Sequence, residues 1–196
     1  LTLSATPVPR TLHMTLAGIR DITTLSTAPT GRQEVHTEIR YDDEAKLIIE
    51  ALSREVSRGG QAFFVHNRVK TLEHVAKKLR GLVPGIKVAT GHGQMEPKEL
   101  EKSMLTFVRG EVDVLCSTTI IESGLDIPNA NTLIVDRADI FGLAQLYQLR
   151  GRVGRGVKRA YAYFLYHDNN RRLLSKDARM RLETVSENTH VGAGYS

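Results

Sequence analysis

The stretch Phe141-Gly-Leu-Ala-Gln-Leu-Tyr-Gln-Leu-Arg-Gly-Arg-Val-Gly-Arg155 joins an apolar helical stripe to a cluster of arginines and glycines. Its first part is predicted to be a helix that carries four apolar side chains. These side chains are Phe141, Leu143, Leu146 and Leu149.

Arg152 and Arg155 lie three residues apart, on or just after this helix. That spacing would bring them close together on a helical turn, and the glycines beside them leave room around the guanidinium groups. Arginine is always charged and offers a planar fork of donors, so the pair suits phosphate oxygens and charge that grows on a transferring phosphoryl group. The alternative is a solvated basic helix end, which needs no glycine spacing.

Six short apolar runs outside this stretch are predicted to be strands because they are rich in β-branched residues. They are Val35–Tyr41, Gln61–His66, Ile86–Thr90, Val112–Ser117, Thr132–Asp136 and Ala160–Leu165. Helical patterns separate several of them, which predicts an α/β fold with a mainly parallel sheet and helices on both faces.

Three helices are predicted from apolar stripes between these strands. The first runs from Asp42 to Arg58 and ends at Gly59-Gly60, and Pro97 suits the first turn of the third. The three stripes are Ile48, Ala51, Leu52 and Val56; Leu72, Val75, Ala76 and Leu79; and Leu100, Met104, Phe107 and Val108.

The composition fits one α/β domain with appendages, since 41% of the 196 residues are hydrophobic and 25% are charged. No run of eighteen apolar residues and no signal peptide are evident, so we expect a cytoplasmic protein that makes no contact with a membrane. The net charge of +5 fits a polyanionic partner. The single cysteine, Cys116, is predicted to be a small buried hydrophobe, and no metal site is expected.

The segment Ser117-Thr-Thr-Ile-Ile-Glu-Ser-Gly-Leu-Asp-Ile-Pro128 follows the fourth predicted strand. A strand-to-helix turn presents hydroxyls and free backbone N–H groups, so it can bind an anion. The alternative is that Thr118 or Thr119 caps a helix and Asp126 caps the next turn.

The stretch Gln148–Arg155 fits the pattern Gln-x-x-Gly-Arg-x-Gly-Arg, which resembles the sixth motif of the superfamily 2 helicases. Its fixed positions are Gln148, Gly151, Arg152, Gly154 and Arg155. The resemblance implies a RecA-like second motor lobe, in which Gln148, Arg152 and Arg155 are catalytic and the arginines reach ATP held by the other lobe. Ser117–Pro128 is similar to the fifth motif, which implies that Gly124 and Asp126 also face the nucleotide.

The same resemblance implies contacts with a nucleic-acid backbone. They fall on Thr118 and Thr119, on Arg68 in the fourth motif and on His92 and Gly93 in the next loop. From the residues alone, His92 is more often a turn residue. Ser4-Ala5-Thr6 is similar to the third motif, which couples the ATP site to nucleic acid.

Three segments narrow the resemblance to two families of double-stranded DNA translocases, the bacterial transcription-repair coupling factors and the RecG-type branched-DNA helicases. They are Leu3–Leu12, Gly91–Met95 and Phe141–Arg155. Ala17–Asp21 and Val191–Gly194 favour the coupling factors. That family implies double-stranded DNA, RNA polymerase and excision-repair proteins as partners, the last two through other domains. Fork remodelling of the RecG type and a catalytically inert DNA-binding module are the alternatives.

An ATPase of this class also needs a glycine-rich loop ending in Gly-Lys and an acidic box for Mg²⁺. The chain contains no Gly-Lys dipeptide, and no acidic box of this kind precedes Ser4. We therefore expect half of a bipartite site, inactive alone, with ATP and Mg²⁺ held mainly by a missing first lobe. The predicted division is the tail of that lobe at 1–27, the second lobe at 28–166 and the start of a translocation hairpin at 167–196.

Overall fold

The computed structural model describes residues 34–41, 44–123, 127–166 and 174–187. Within these ranges, six strands and five α-helices follow one another along the chain. The elements are β1 (Val35–Tyr41), α1 (Glu44–Ser57), β2 (Gln61–Val65), α2 (Val69–Leu82), β3 (Val88–Gly91), α3 (Pro97–Val108), β4 (Val114–Ser117), β5 (Ala130–Val135), α4 (Leu143–Arg150), β6 (Ala160–Tyr166) and α5 (Lys176–Glu187). Short 3₁₀ helices at Thr119–Ser123 and Ala138–Ile140 flank β5.

Some predicted features lie outside the described residues. These are Ser4-Ala5-Thr6, Ala17–Asp21, Gly124, Asp126 and Val191–Gly194. The predicted translocation hairpin is represented only by α5.

The strands form one sheet in the order β1-β6-β5-β2-β4-β3. Every neighbouring pair is parallel, which confirms the predicted α/β fold. All six strands therefore begin at one edge of the sheet, the amino edge, and end at the other, the carboxyl edge. Segments that follow different strands are brought together at the carboxyl edge even when they are far apart in sequence.

Apolar layers cover both faces of the sheet, because successive strand residues point to opposite sides. On one face, α1 and α2 pack on Ala62 and Phe64. On the other, α3, α4 and α5 pack on Phe63 and Val65. Side chains such as Leu52, with 0% of its surface exposed, are removed from water almost completely, and this burial is the main stabilising contribution.

The apolar stripe predicted for α1 is wrong at its last residue. Val56 is 37% exposed, whereas its neighbour Glu55 is 1% exposed. The Glu55 carboxylate accepts a hydrogen bond from the Thr132 hydroxyl at 2.5 Å and pairs with Arg58. The last turn of α1 therefore packs on a polar part of β5, where a paired carboxylate replaces an apolar side chain. As predicted, α1 ends just before Gly59, which has a φ of 66°.

None of the helices within the described ranges is long and apolar enough to cross a lipid bilayer.

Candidate functional site

The two arginines of the Gln148–Arg155 motif lie just after α4, which is one of the two predicted placements, but they do not share a helical turn. The helix ends at Arg150, and Gly151 caps it. Gly154 has a φ of 79°, a left-handed conformation that cannot continue an α-helix and that favours glycine. Arg152 and Arg155 are therefore carried by a loop, which we call the arginine loop (residues 151–156).

The arginine loop is anchored from within. Val153 is fully buried in the core that α4 and α5 share. Arg152 is half-buried and Arg155 is exposed, and the Nε of Arg155 donates to the main-chain carbonyl of Gly151 at 3.3 Å. Gln148 is exposed on the last turn of α4. Buried Val153 thus anchors the loop to the core, while the Arg155 side chain lies at the surface.

The loop also packs against the segment that follows Gly124 and Asp126. A Cβ atom on Gly156 would lie 2.5 Å from the main-chain oxygen of Pro128, so only glycine fits there. Pro128 comes just before β5 and Gly156 shortly before β6, which places both at the amino edge. The structure therefore brings the sixth-motif arginines to the end of the fifth-motif segment.

Arg150 was not predicted as a functional residue, yet it joins α4 to α5. Its side chain is 9% exposed, and its Nη1 donates to the main-chain carbonyl of Val185 at 2.6 Å. The Tyr147 hydroxyl donates to the carbonyl of Thr184 at 3.3 Å, and the Arg150 guanidinium lies 5.0 Å from the Tyr147 ring centroid. Burial lowers the pKa of Arg150. The motif pattern accepts any residue at position 150. In the sequence, only the neighbouring apolar Leu149 indicated that Arg150 could be buried.

The residues predicted to contact nucleic acid gather at the carboxyl edge. The Thr118 N–H donates to the carbonyl of Gly91 at 3.2 Å, which joins the ends of β3 and β4. The His66 N–H donates to the carbonyl of Ser117 at 2.9 Å, which joins the ends of β2 and β4. Each predicted contact residue lies within three residues of the end of one of these strands; they are Arg68, His92, Gly93, Thr118 and Thr119. Of these, Arg68 and Gly93 are exposed.

His92 has the geometry of a turn residue. Its ring Nδ1 accepts a hydrogen bond from the Gln94 N–H at 3.3 Å, and its carbonyl accepts one from the Met95 N–H at 3.1 Å. The ring thus stabilises the turn after β3. Its contact with nucleic acid stays a prediction.

A cavity of about 300 Å³ opens beside Arg68, between α1, α2 and the ends of β2 and β5. His66 forms its polar wall, with Nδ1 2.5 Å from Asp136 Oδ2 and Nε2 2.7 Å from Thr71 Oγ1. Arg137 also lines the cavity. Its backbone φ is 54°, which is unusual for a residue other than glycine. Sequence reasoning missed these residues. Their position directly after two central parallel strands could have identified them, because binding sites often form there.

Cys116 is fully buried, as predicted, and burial raises its pKa to about 12. Its thiol is therefore protonated at neutral pH and is a poor nucleophile. In the part of the chain that the structure describes, no three His, Cys, Asp or Glu side chains come together as a metal site.

Comparison with known proteins identifies one matching family and several similar proteins. The model of the helicase conserved C-terminal domain matches residues 43–157. The chain is 53% identical over 197 residues to the transcription-repair-coupling factor of Myxococcus xanthus and 51% identical over 195 residues to that of Bacillus subtilis. Both alignments cover 100% of this chain, which spans 16% of the length of either relative.

A solved structure shares the fold of almost the whole chain. The structure of RecG bound to a three-way DNA junction aligns with a TM-score of 0.71 and 37% sequence identity. The alignment covers 95% of this chain and 25% of that one.

Proposed function

The chain belongs to the helicase conserved C-terminal domain family, and from this premise we propose that it is the second motor lobe of an ATP-dependent double-stranded DNA translocase of the transcription-repair-coupling factor type. The arginine loop carries this proposal. The chain's relatives at about half identity along its whole length, and its fold, support it.

We assign the chemical role of the lobe to Arg152 and Arg155. In the parent protein both would face a nucleotide in the interlobe cleft. Buried Val153 and the close approach of Gly156 to Pro128 anchor the loop that carries them. ATP, with Mg²⁺ held mainly by the first lobe, supplies the phosphoryl group. Arg155 donates to its oxygens as charge grows, and Arg152 and Gln148 orient the same group. Gly124 and Asp126 face the nucleotide from the adjoining segment.

The carboxyl edge is proposed to grip the duplex. This edge carries a guanidinium, hydroxyls and backbone N–H groups, which can bind successive phosphates of a DNA backbone. The residues that provide them are Arg68, His92, Gly93, Thr118 and Thr119. Contacts with phosphates do not distinguish one base from another, so the lobe would move along DNA without sequence preference. Alternating closure of the cleft and grip on the backbone would move the protein, and Ser4-Ala5-Thr6 would couple the two events.

The biological role proposed for the whole protein is to displace stalled RNA polymerase and to promote nucleotide excision repair. Other domains would make the contacts with polymerase and repair proteins. The similarity to RecG supports fork remodelling as a second candidate. An inert DNA-binding module is disfavoured, because it would need neither an exposed Arg155 nor the close glycine packing that holds it.

One comparison separates the two active candidates. The full-length protein would be given ATP with either a polymerase stalled on a DNA template or a branched DNA fork, and release and unwinding would be measured. We expect release of polymerase with little unwinding of the fork. Efficient unwinding without release would favour fork remodelling, and neither activity would contradict both.

A further inference from the structure

Three arginine side chains converge on one tyrosine ring on the face of the sheet beside α1. The guanidinium carbons of Arg54, Arg58 and Arg159 lie 3.7, 5.5 and 5.7 Å from the ring centroid of Tyr161. We call these four residues the arginine–tyrosine cluster. It lies outside the sites described above and has no role in them.

The cluster is held in place by specific contacts. Arg54 donates from Nη2 to the Tyr163 hydroxyl at 2.9 Å, and the Tyr161 and Tyr163 rings are parallel, with centroids 6.4 Å apart. Arg58 donates from Nη1 to the carbonyl of Arg159 at 2.8 Å. The guanidinium groups of Arg54 and Arg58 are therefore held in place before any partner arrives, which lowers the entropy cost of binding.

The cluster itself contains three positive side chains and no carboxylate. Arg58 pairs with Glu55, which is 1% exposed. In the described ranges, neither Arg54 nor Arg159 forms an ion pair, although both lie close to the same ring as Arg58. Like charges held this close repel one another, and an anionic partner would relieve the repulsion.

The cluster is remote from the proposed DNA grip. Tyr161 pairs in register with Thr132 near the start of β5, whereas Arg68 follows Val65, which pairs with Val135 at its end. Three residues along the strand correspond to roughly 10 Å, and two strand spacings across the sheet add about 10 Å in the perpendicular direction. The cluster therefore lies apart from the residues of the proposed grip.

We propose that the arginine–tyrosine cluster docks an acidic segment of a partner protein, whose carboxylates pair with Arg159 and with the Arg54 guanidinium that covers the Tyr161 ring. The exposed guanidinium of Arg159 presents a planar fork that matches a carboxylate. Tyrosine and arginine are the residues enriched at the centres of protein interfaces, where lysine is depleted. Lys158, the nearby lysine, is used differently: its Nζ donates to the carbonyl of Arg58 at 2.8 Å and caps α1.

Binding of a labelled peptide of alternating glutamate and aspartate to the full-length protein tests this proposal. Fluorescence anisotropy would compare wild type with Arg159→Ala, Arg159→Lys and the double variant Arg54→Gln/Arg159→Ala. Arg159 is exposed, so the single variants should fold, and melting temperatures would check this. Arg68→Ala at the carboxyl edge and Arg109→Ala at the end of α3 are matched controls for loss of one positive charge.

We expect roughly tenfold weaker peptide binding for Arg159→Ala, a larger loss for the double variant and partial rescue by lysine. Both controls should bind the peptide within about twofold of wild type, because their charges lie outside the cluster. Equal loss in Arg68→Ala, or no loss in the double variant, would overturn the proposal. Duplex DNA is the second probe: if the cluster variants lose affinity for DNA and not for the peptide, the surface binds nucleic acid instead.

Discussion

The Nη1 of Arg150 donates a hydrogen bond to the main-chain carbonyl of Val185 at 2.6 Å, and this contact fastens α5 to the helix that leads into the arginine loop. Arg150 is almost completely buried, and Tyr147 supports it with a second bond to α5. A movement of α5 therefore cannot leave α4 unaffected. In the proposed translocase, this pair joins the chemistry at Arg155 to α5, which lies within the predicted start of the translocation hairpin.

Arg150→Met should loosen α5. It removes the donor to Val185 and leaves a buried carbonyl unpaired, at a cost of about 1–3 kcal/mol in the free energy of unfolding. Chemical denaturation would measure that cost, and hydrogen exchange would locate it in residues 176–187. Arg109→Met, at an exposed position, is the control. Unchanged amide protection of α5 would show that Arg150 does not hold it.

Gly156→Ala should damage the arginine loop because the new methyl group would meet the main-chain oxygen of Pro128, which cannot move aside like a side chain. We expect a loss of roughly 1–3 kcal/mol in stability, together with a lower ATPase rate in the full-length protein. Gly81→Ala in α2 is the matched control, since a Cβ there meets no atom within 4 Å and should be neutral or stabilising. Equal effects of the two changes would rule out the close packing.

Arg68→Ala in the full-length protein should weaken duplex binding equally for all base sequences. Loss of one phosphate contact should also reduce the slope of log affinity against log salt by about one. Titrations at several salt concentrations with two unrelated duplexes would measure both. The surface control is again Arg109→Ala, which should leave the slope unchanged. An effect confined to one sequence would mean that Arg68 reads bases.

The Cys116 thiol should resist alkylation in the native protein and react only when denaturant is added. Its pKa in the folded chain is about 12, above the ordinary value of 9.0, because burial disfavours the thiolate. The folded state therefore holds its proton more tightly than the unfolded state. The resulting stability is fully present below pH 9.0 and is lost as the pH rises toward about 12. Fast labelling of the native protein near neutral pH would show that the thiol is accessible.

Much of the fold was predictable because each strand is a short apolar run between helical stripes. The range Val35–Tyr41 was predicted to the residue, and the others were misplaced by at most two residues at either end. The parallel arrangement then followed, since the helices lie between strands in sequence. The gathering of Arg68, Gly93 and Thr118 at one edge is a consequence of that arrangement.

Features that depend on one tertiary contact were not predictable. Val56 fits the helical stripe better than Glu55 does, but the polar start of β5 lies opposite and selects the carboxylate. The three-residue spacing of Arg152 and Arg155 is typical of a helix, yet Gly154 turns the backbone left-handed between them. The link from Arg150 to Val185 joins residues 35 apart in sequence and leaves no periodic signal.

The central claim is that Arg155 completes an ATP site shared with another lobe, and the ATPase rate of the full-length protein with Arg155→Ala tests it most directly. Arg155 is exposed, so the change should leave the melting temperature nearly unaltered. The DNA-stimulated rate should nevertheless fall by about 10³- to 10⁵-fold, well beyond any change in ATP affinity, and Arg155→Lys should recover little of it because one ammonium cannot replace the planar fork. Turnover within a few-fold of wild type would contradict the account, and a large drop in melting temperature would make Arg155 a structural residue instead.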